Sequence, residues 1–362
     1  MPEPQGVQFQ PNNAKGDSEV RPATLDLRPA TGATGFSPLP AVTEQPILEV
    51  RNLCVEIRRS GRALRAVDDV SFQIPEESTL GLVGESGSGK TLTALSILKL
   101  PPAGVDISNG SILFRGNDIL QMPDRALRRV RGKQIALIFQ EPMSALNPVL
   151  TVETQLTEGM LAHLNISKKE ARARALRLLE QVGISDPAKR LREYPHQLSG
   201  GMRQRIMIAM ALACEPALIV ADEPTTALDV TIQAQILNLI RELRKKFRLS
   251  LLLISHDLGV VAQNADWVAV MYAGRIVEFA SCIDLFHDAQ HPYTQALLRA
   301  MPRLEQKTDR LLAVPGNVPS LDSIPPGCSF HPRCPEMIAQ CTAAVPDLRE
   351  VKPRHWARCI RR

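Results

Sequence analysis

Residues 79–83 form a short apolar run that ends in Gly84-Glu-Ser-Gly-Ser-Gly-Lys-Thr91, and residues 91–100 continue at helical spacing. No other stretch of the chain restricts the fold so tightly. A strand must break into a glycine-rich turn and restart as a helix, which is the pattern G-x-x-x-x-G-K-[ST] in its required context. Glycine lets the backbone curl until successive N–H groups point inward at phosphate oxygens. The following helix adds its positive N-terminal end. Lys90 then reaches the β- and γ-phosphates, and the Thr91 hydroxyl is a ligand for Mg²⁺. Gly84, Glu85, Ser86, Gly87, Ser88, Gly89, Lys90, Thr91 and the adjoining Leu92 are therefore the expected ATP contacts.

The rest of the pattern supplies a sheet to carry this loop. Residues 47–57 and 67–74 alternate as antiparallel strands do, and further strands are predicted at 111–115, 134–139, 217–221, 249–254 and 267–272. Strands alternating with helices give an α/β fold. Residues 149–197 have helical period and read as an insertion into the sheet. The run 217–221 is continuously apolar, as a buried parallel strand is, and ends in Asp222 and Glu223. Ligands sit beyond the carboxyl ends of such strands. Asp222 is thus placed to reach Mg²⁺ through a water, and Glu223 to polarise the attacking water. His256 and Gln140 end two further strands in the same way: the first is a candidate γ-phosphate contact, the second a candidate for Mg²⁺ or the attacking water.

The net charge of +5 is not gathered into a stripe, which argues against a nucleic-acid partner. No run approaches the roughly 20 apolar residues that span a bilayer, and the N-terminus lacks an apolar signal segment. The expectation is a protein that stays in the cytosol. Residues 1–45, rich in Pro, Gly, Ala, Thr and Gln, read as a disordered tail, residues 46–282 as the nucleotide-binding domain, and residues 283–362 as a small separate C-terminal region. Cys54, Cys214 and Cys282 are scattered and read as small buried hydrophobes. Cys328, Cys334, Cys341 and Cys359 crowd the C-terminus, where a cytosolic protein more often binds metal than forms disulfides. Four thiolates suit Zn²⁺ or an iron–sulfur cluster, and their spacing favours neither. The basic end, residues 349–362, has six Lys and Arg against one Glu and suggests weak attraction to anionic lipid.

A phosphate loop with an Asp-Glu pair is common to many NTPases. Leu198-Ser-Gly-Gly-Met-Arg-Gln-Arg205, just before a helical run, resembles the signature motif of the ABC ATPases. Thr226-Ala-Leu-Asp229 resembles that family's D-loop, Gln140 its Q-loop and His256 its switch histidine, all in the family's order. The resemblance implies a P-loop NTPase core with an antiparallel β subdomain and an inserted helical subdomain. It also implies a sandwich dimer in which Ser199, Gly200, Gly201 and Gln204 contact the ATP of the partner subunit. An aromatic residue usually covers adenine near the end of the first strand; residues 57–62 hold none, so Ile57 or an arginine stem takes that place.

His291-Pro-Tyr-Thr-Gln-Ala-Leu-Leu, Val314-Pro-Gly-Asn-Val-Pro-Ser320 and Gly327-Cys-Ser-Phe-His-Pro-Arg-Cys334 resemble the C-terminal extension of the dipeptide, oligopeptide and nickel importer ATPases. That resemblance implies an importer with two integral membrane permease subunits, a second and different ABC ATPase, and an external substrate-binding protein. It places this chain as a peripheral subunit at the cytoplasmic face of the membrane, as the cysteine-bearing ATPase of the pair. It further implies ATP and Mg²⁺ as cofactors and a [4Fe–4S] cluster on the four C-terminal cysteines, with Zn²⁺ as the alternative. Nickel or another small solute is the alternative cargo. A soluble, non-transport ABC ATPase is the alternative function, although such proteins usually carry tandem cassettes or a long coiled coil.

Overall fold

The computed structural model describes residues 45–59, 61–226, 228–301 and 314–362; apart from Gln45, the tail expected over 1–45 lies outside them. Twelve strands fall into two sheets among the described residues. The first sheet holds β1 (Pro46–Arg59), β2 (Arg62–Pro75), β4 (Val105–Phe114) and β5 (Asn117–Asp118), in the order β2-β1-β4-β5 and antiparallel throughout. Its alternating residues, among them Leu48, Val50, Val67, Phe72 and Ile112, turn one face into a fully buried apolar layer.

The second sheet holds β3 (Thr79–Val83), β6 (Ile135–Ile138), β7 (Leu218–Asp222), β8 (Ser250–Ser255), β9 (Trp267–Tyr272), β10 (Arg275–Ser281), β11 (Arg349–Lys352) and β12 (His355–Ala357). Its order is β11-β12-β10-β9-β3-β8-β7-β6. The five strands from β9 to β6 are parallel, and β3, β7 and β8 are buried along their whole length. This explains why they read as unbroken apolar runs in sequence. Their register sets Val83 opposite Ser255, Asp222 opposite Ile254 and Ile138 opposite Ala221. The carboxyl ends of β3, β8, β7 and β6 consequently share one edge, and the candidate site residues leave the sheet there.

Helices Val152–His163, Lys168–Gln181 and Pro187–Arg190 lie between β6 and β7 in chain order. Their apolar faces, with Leu156, Met160, Ala175 and Leu179, share a core with helix Gly200–Leu212 and one face of β6 and β7. Ser167 starts the second of these helices with a full capping box to Glu170. After β10 come helices Cys282–Asp288 and Pro292–Arg299. A third cluster packs Tyr293 and Phe330 of the C-terminal segment against Val270, Tyr272 and Val277 of the sheet. The C-terminal region does not stand apart: β12 pairs with β10, and β11 with β12, so the chain's end extends the nucleotide-binding sheet.

The basic end is not a free patch for lipid. Arg358 is buried and donates to the carbonyls of Ile276 and Pro346. Arg361 and Arg362 pair with Glu336, Lys352 pairs with Asp288, and Arg354 lies over the Trp267 ring.

Candidate active site

The phosphate loop leaves β3 at Gly84, whose N-terminal neighbours are locked in the sheet's centre. A Cβ on Gly84 would lie 2.1 Å from the Met271 carbonyl oxygen, and one on Gly89 2.8 Å from that of Ala66. Gly89 also has φ 101°, which side chains resist. The loop closes with Ser88 N–H on the Glu85 carbonyl (3.2 Å), and helix Lys90–Ile97 begins at Gly89. Lys90 is buried and folds back to donate to the carbonyls of Gly84 (2.8 Å) and Glu85 (3.0 Å). Burial lowers its pKa, opposed by the negative charges of Glu223, Asp222 and Glu85. Ser86 and Thr91 are exposed, and Leu92 packs against the core beneath them.

Beside the loop, burial raises the pKa of Asp222 against a hydrogen bond from Thr91. Two oxygens here, Asp222 Oδ1 and Ser88 Oγ, are buried without a hydrogen-bond partner. Orphaned oxygens of this kind are costly unless something supplies a partner. A Mg²⁺ ion with its waters would satisfy the Asp222 oxygen, and a phosphate oxygen the Ser88 hydroxyl, so Thr91 and Asp222 fit the metal expected from sequence.

Glu223 follows with φ 45°, a left-handed conformation unusual for a residue with a side chain. The turn points its carboxylate back over the sheet edge, where two donors converge on Oε2 and the His256 ring comes alongside. Gln140 Nε2 lies at 3.0 Å, Thr226 Oγ1 at 2.8 Å and His256 Nδ1 at 3.2 Å. Three residues singled out in the sequence, Gln140, Glu223 and His256, therefore form one cluster. Thr226 lay within the quoted D-loop motif, but nothing in the sequence marked its hydroxyl as part of the site.

The signature residues sit elsewhere. Ser199 caps helix Gly200–Leu212 by accepting the Met202 N–H (3.3 Å), and Ser199 and Gly200 are exposed. A Cβ on Gly201 would approach Ile232 to 3.2 Å. Gln204 does not join this surface. It is 1% exposed and donates to the Pro224 carbonyl (2.5 Å), next to Glu223. The helix explains the correction: five residues on from Ser199 is about 140° around the axis, towards the core. Asp229 caps helix Val230–Phe247 through the Ile232 N–H (2.9 Å); Ala227 of the same motif lies outside the described residues.

Cys328, Cys334, Cys341 and Cys359 line one pocket, together with Phe330, His331 and Glu336. Backbone hydrogen bonds from Phe330 and His331 support the Cys328 sulfur, and one from Glu336 supports Cys334, while burial raises both thiols. However, among the described residues no three His, Cys, Asp or Glu side chains gather as ligands of one metal ion. The arrangement does not by itself establish the metal-binding region expected from sequence.

The parallel sheet, phosphate loop, Asp-Glu strand end and signature helix together define an ABC-type ATPase. The ABC transporter family matches residues 67–226, and the oligopeptide/dipeptide transporter C-terminal region matches residues 277–341. The chain is 50% identical over 315 residues to the oligopeptide transport ATP-binding protein AppD of Bacillus subtilis (strain 168), spanning 87% of this chain and 96% of that protein. It is 49% identical to the dipeptide transport ATP-binding protein DppD of the same organism, spanning 87% and 94%. Among solved structures, the dimeric post-hydrolysis state of the ATP-binding cassette MJ0796 bound to ADP and Pi superimposes with a TM-score of 0.59 at 25% identity, over 65% of this chain and 98% of that one. The chain belongs to the ABC transporter ATP-binding proteins, in the group that carries the oligopeptide/dipeptide transporter C-terminal region.

Proposed function

We propose that this chain hydrolyses ATP to power the import of di- or oligopeptides. The observation that carries the reading is the pairing of a complete ATPase edge with the C-terminal region of the peptide-transporter group in one chain. Lys90 and the loop N–H groups would hold the phosphates, and Thr91, Asp222 and Gln140 would hold Mg²⁺, which when bound would offset charge on the transferring phosphoryl group. Glu223 orients and polarises the water, and His256 carries the γ-phosphate state to it. Ser199, Gly200 and Gly201, exposed at a helix start, complete the ATP site of an opposing ATPase subunit.

Two permease subunits, a second and different ATPase and an external binding protein complete the complex. None of the described helices is long and apolar enough to cross a membrane, which fits a subunit docked at the cytoplasmic face through its partners. The cleft lined by Thr151, Thr154, Glu158, Leu161 and Arg192 on the helical insertion is the seat for the permease.

The four C-terminal cysteines hold a [4Fe–4S] cluster that braces the extension. The reading is supported by the four cysteines lining one pocket and by the resemblance of this segment to the peptide-importer ATPases; four thiolates suit a zinc ion as well. Capture of the intact complex from membranes tests the assignment: permeases and a peptide-binding protein should co-purify, and ATP hydrolysis should rise with peptide-loaded binding protein. A complex without permeases, or one stimulated only by a nickel-binding protein, would refute it.

A further inference from the structure

Glu85 is the second residue of the phosphate loop, and its surroundings come from the far end of the chain. Arg333 grips its carboxylate with both arms of the guanidinium, Nη1 to Oε2 at 2.7 Å and Nη2 to Oε1 at 3.0 Å. The Glu85 N–H donates to the Tyr293 hydroxyl at 3.0 Å. Arg333 is itself fixed: Nε donates to the Pro315 carbonyl (2.7 Å), Nη2 also reaches that of Val314 (3.3 Å), and Nη1 lies 3.4 Å from the Tyr272 hydroxyl. Its guanidinium stands over the rings of Tyr272 and Phe330, which pack with Tyr293 at centroid distances of 4.6–5.3 Å. The side chains of Arg333 and Glu85 are only 6% and 25% exposed. A bidentate pair so removed from water is held in one geometry and is costly to break by removing one partner.

The same residue governs where Lys90 rests, because the Glu85 carbonyl accepts both Lys90 Nζ and the Ser88 N–H. Lys90 Nζ spends two of its three donors on the loop carbonyls, which leaves one for a phosphate and makes its position depend on the Glu85 peptide. Glu85 also sets a negative charge in the loop that receives the triphosphate, and unpaired it would repel ATP. We propose that Arg333 and Tyr293 are positioning residues for nucleotide binding, holding the Glu85 peptide in register and neutralising its carboxylate, so that the C-terminal extension sets the affinity of the phosphate loop. The inference rests on the ATPase site alone and is independent of the cargo.

A plain staple between two segments would produce the same contacts, and a rescue experiment separates the two. Full-length protein is titrated with Mg–ATP by calorimetry, with circular dichroism confirming the fold. Arg333→Gln leaves Glu85 charged and unpaired and should weaken ATP binding about 10-fold. Glu85→Gln added to that variant removes the offending charge and should bring the affinity back to within about 3-fold of the natural protein. Tyr293→Phe, which keeps the ring and loses only the acceptor of the Glu85 N–H, should weaken binding by about 3-fold without lowering the melting temperature comparably. Unchanged affinity in both Arg333→Gln and Tyr293→Phe overturns the proposal. So does a double variant that binds no better than Arg333→Gln, since a staple cut at both ends has nothing to recover.

Discussion

Replacing Glu223 by glutamine removes one charge and almost no volume, and the structure allows the cost to be separated into stability and rate. Oε2 now accepts from Gln140 and Thr226, and His256 Nδ1 lies 3.2 Å from it. A hydrogen bond to a charged acceptor is worth roughly 1.5–3 kcal/mol and one to a neutral acceptor roughly 0.5–1.5 kcal/mol. The glutamine oxygen can keep both donors as weaker bonds, and the side chain is near the surface, so folding should weaken by no more than about 2 kcal/mol. The rate is a different matter, because an amide cannot take up a proton from the attacking water. Loss of one acid–base contribution costs about 10²–10⁴-fold, or roughly 3–5 kcal/mol of barrier. Single-turnover hydrolysis of radiolabelled ATP by the assembled complex measures the chemical step, and nucleotide retention reports the closed dimer that should accumulate. Turnover at the natural rate, in a variant that still binds ATP, would show that Glu223 is not the base and that the convergence on Oε2 only braces the strand end.

His291 should make stability depend on pH. Burial holds its pKa down to about 4 from an ordinary 6.5, and its Nδ1 accepts the Tyr293 N–H. A folded pKa below the unfolded one gives stability that is complete above pH 6.5 and lost as pH falls towards 4, up to ~3 kcal/mol in all and ~2 kcal/mol by pH 5. Urea midpoints at pH 7 and pH 5 should show this loss reduced in His291→Asn, which keeps a helix cap; an equal loss in both proteins would contradict it. Anaerobically purified protein should contain iron and sulfide in equal amounts, about four of each; stoichiometric zinc without iron would eliminate the cluster while retaining its ligands. Cys341→Ser should release the metal and lower the melting temperature; iron content equal to that of the natural protein would remove Cys341 from the ligand set.

The elements legible in the sequence are those whose signal is local. Residues 79–83 and 267–272 are strands with the expected limits because buried parallel strands read as uninterrupted apolar runs between turn residues. The ends of β6, β7 and β8 named Gln140, Glu223 and His256, and parallel register then brought the three together. β11 and β12 gave no such signal. They are four and three residues long, carry Arg, Glu, Lys and His, and exist because β10 offers an edge to pair with. Gln204 was misplaced because a motif read along the chain ignores rotation about the helix axis. The grip of Arg333 on Glu85 spans 248 residues, and the sequence carries no local trace of it.

The pairing of β12 with β10 has a consequence for anyone who would trim this protein to a minimal cassette. Glu278 on β10 is 0% exposed, and its carboxylate is held by His355 of β12 (2.7 Å) and by the N–H groups of Gln290 (2.6 Å) and His291 (2.9 Å). Cutting the chain after β10 would strip every one of these partners from a charge lodged in the sheet. It would also bare an edge strand and the Phe279 ring, against which Trp356 packs at 5.7 Å. Unpaired edges and uncovered aromatics are what other chains adhere to. A shortened protein should therefore collect in inclusion bodies even though every nucleotide motif survives in it. For this chain the residues that cover the edge of the sheet lie outside the residues that make it a motor.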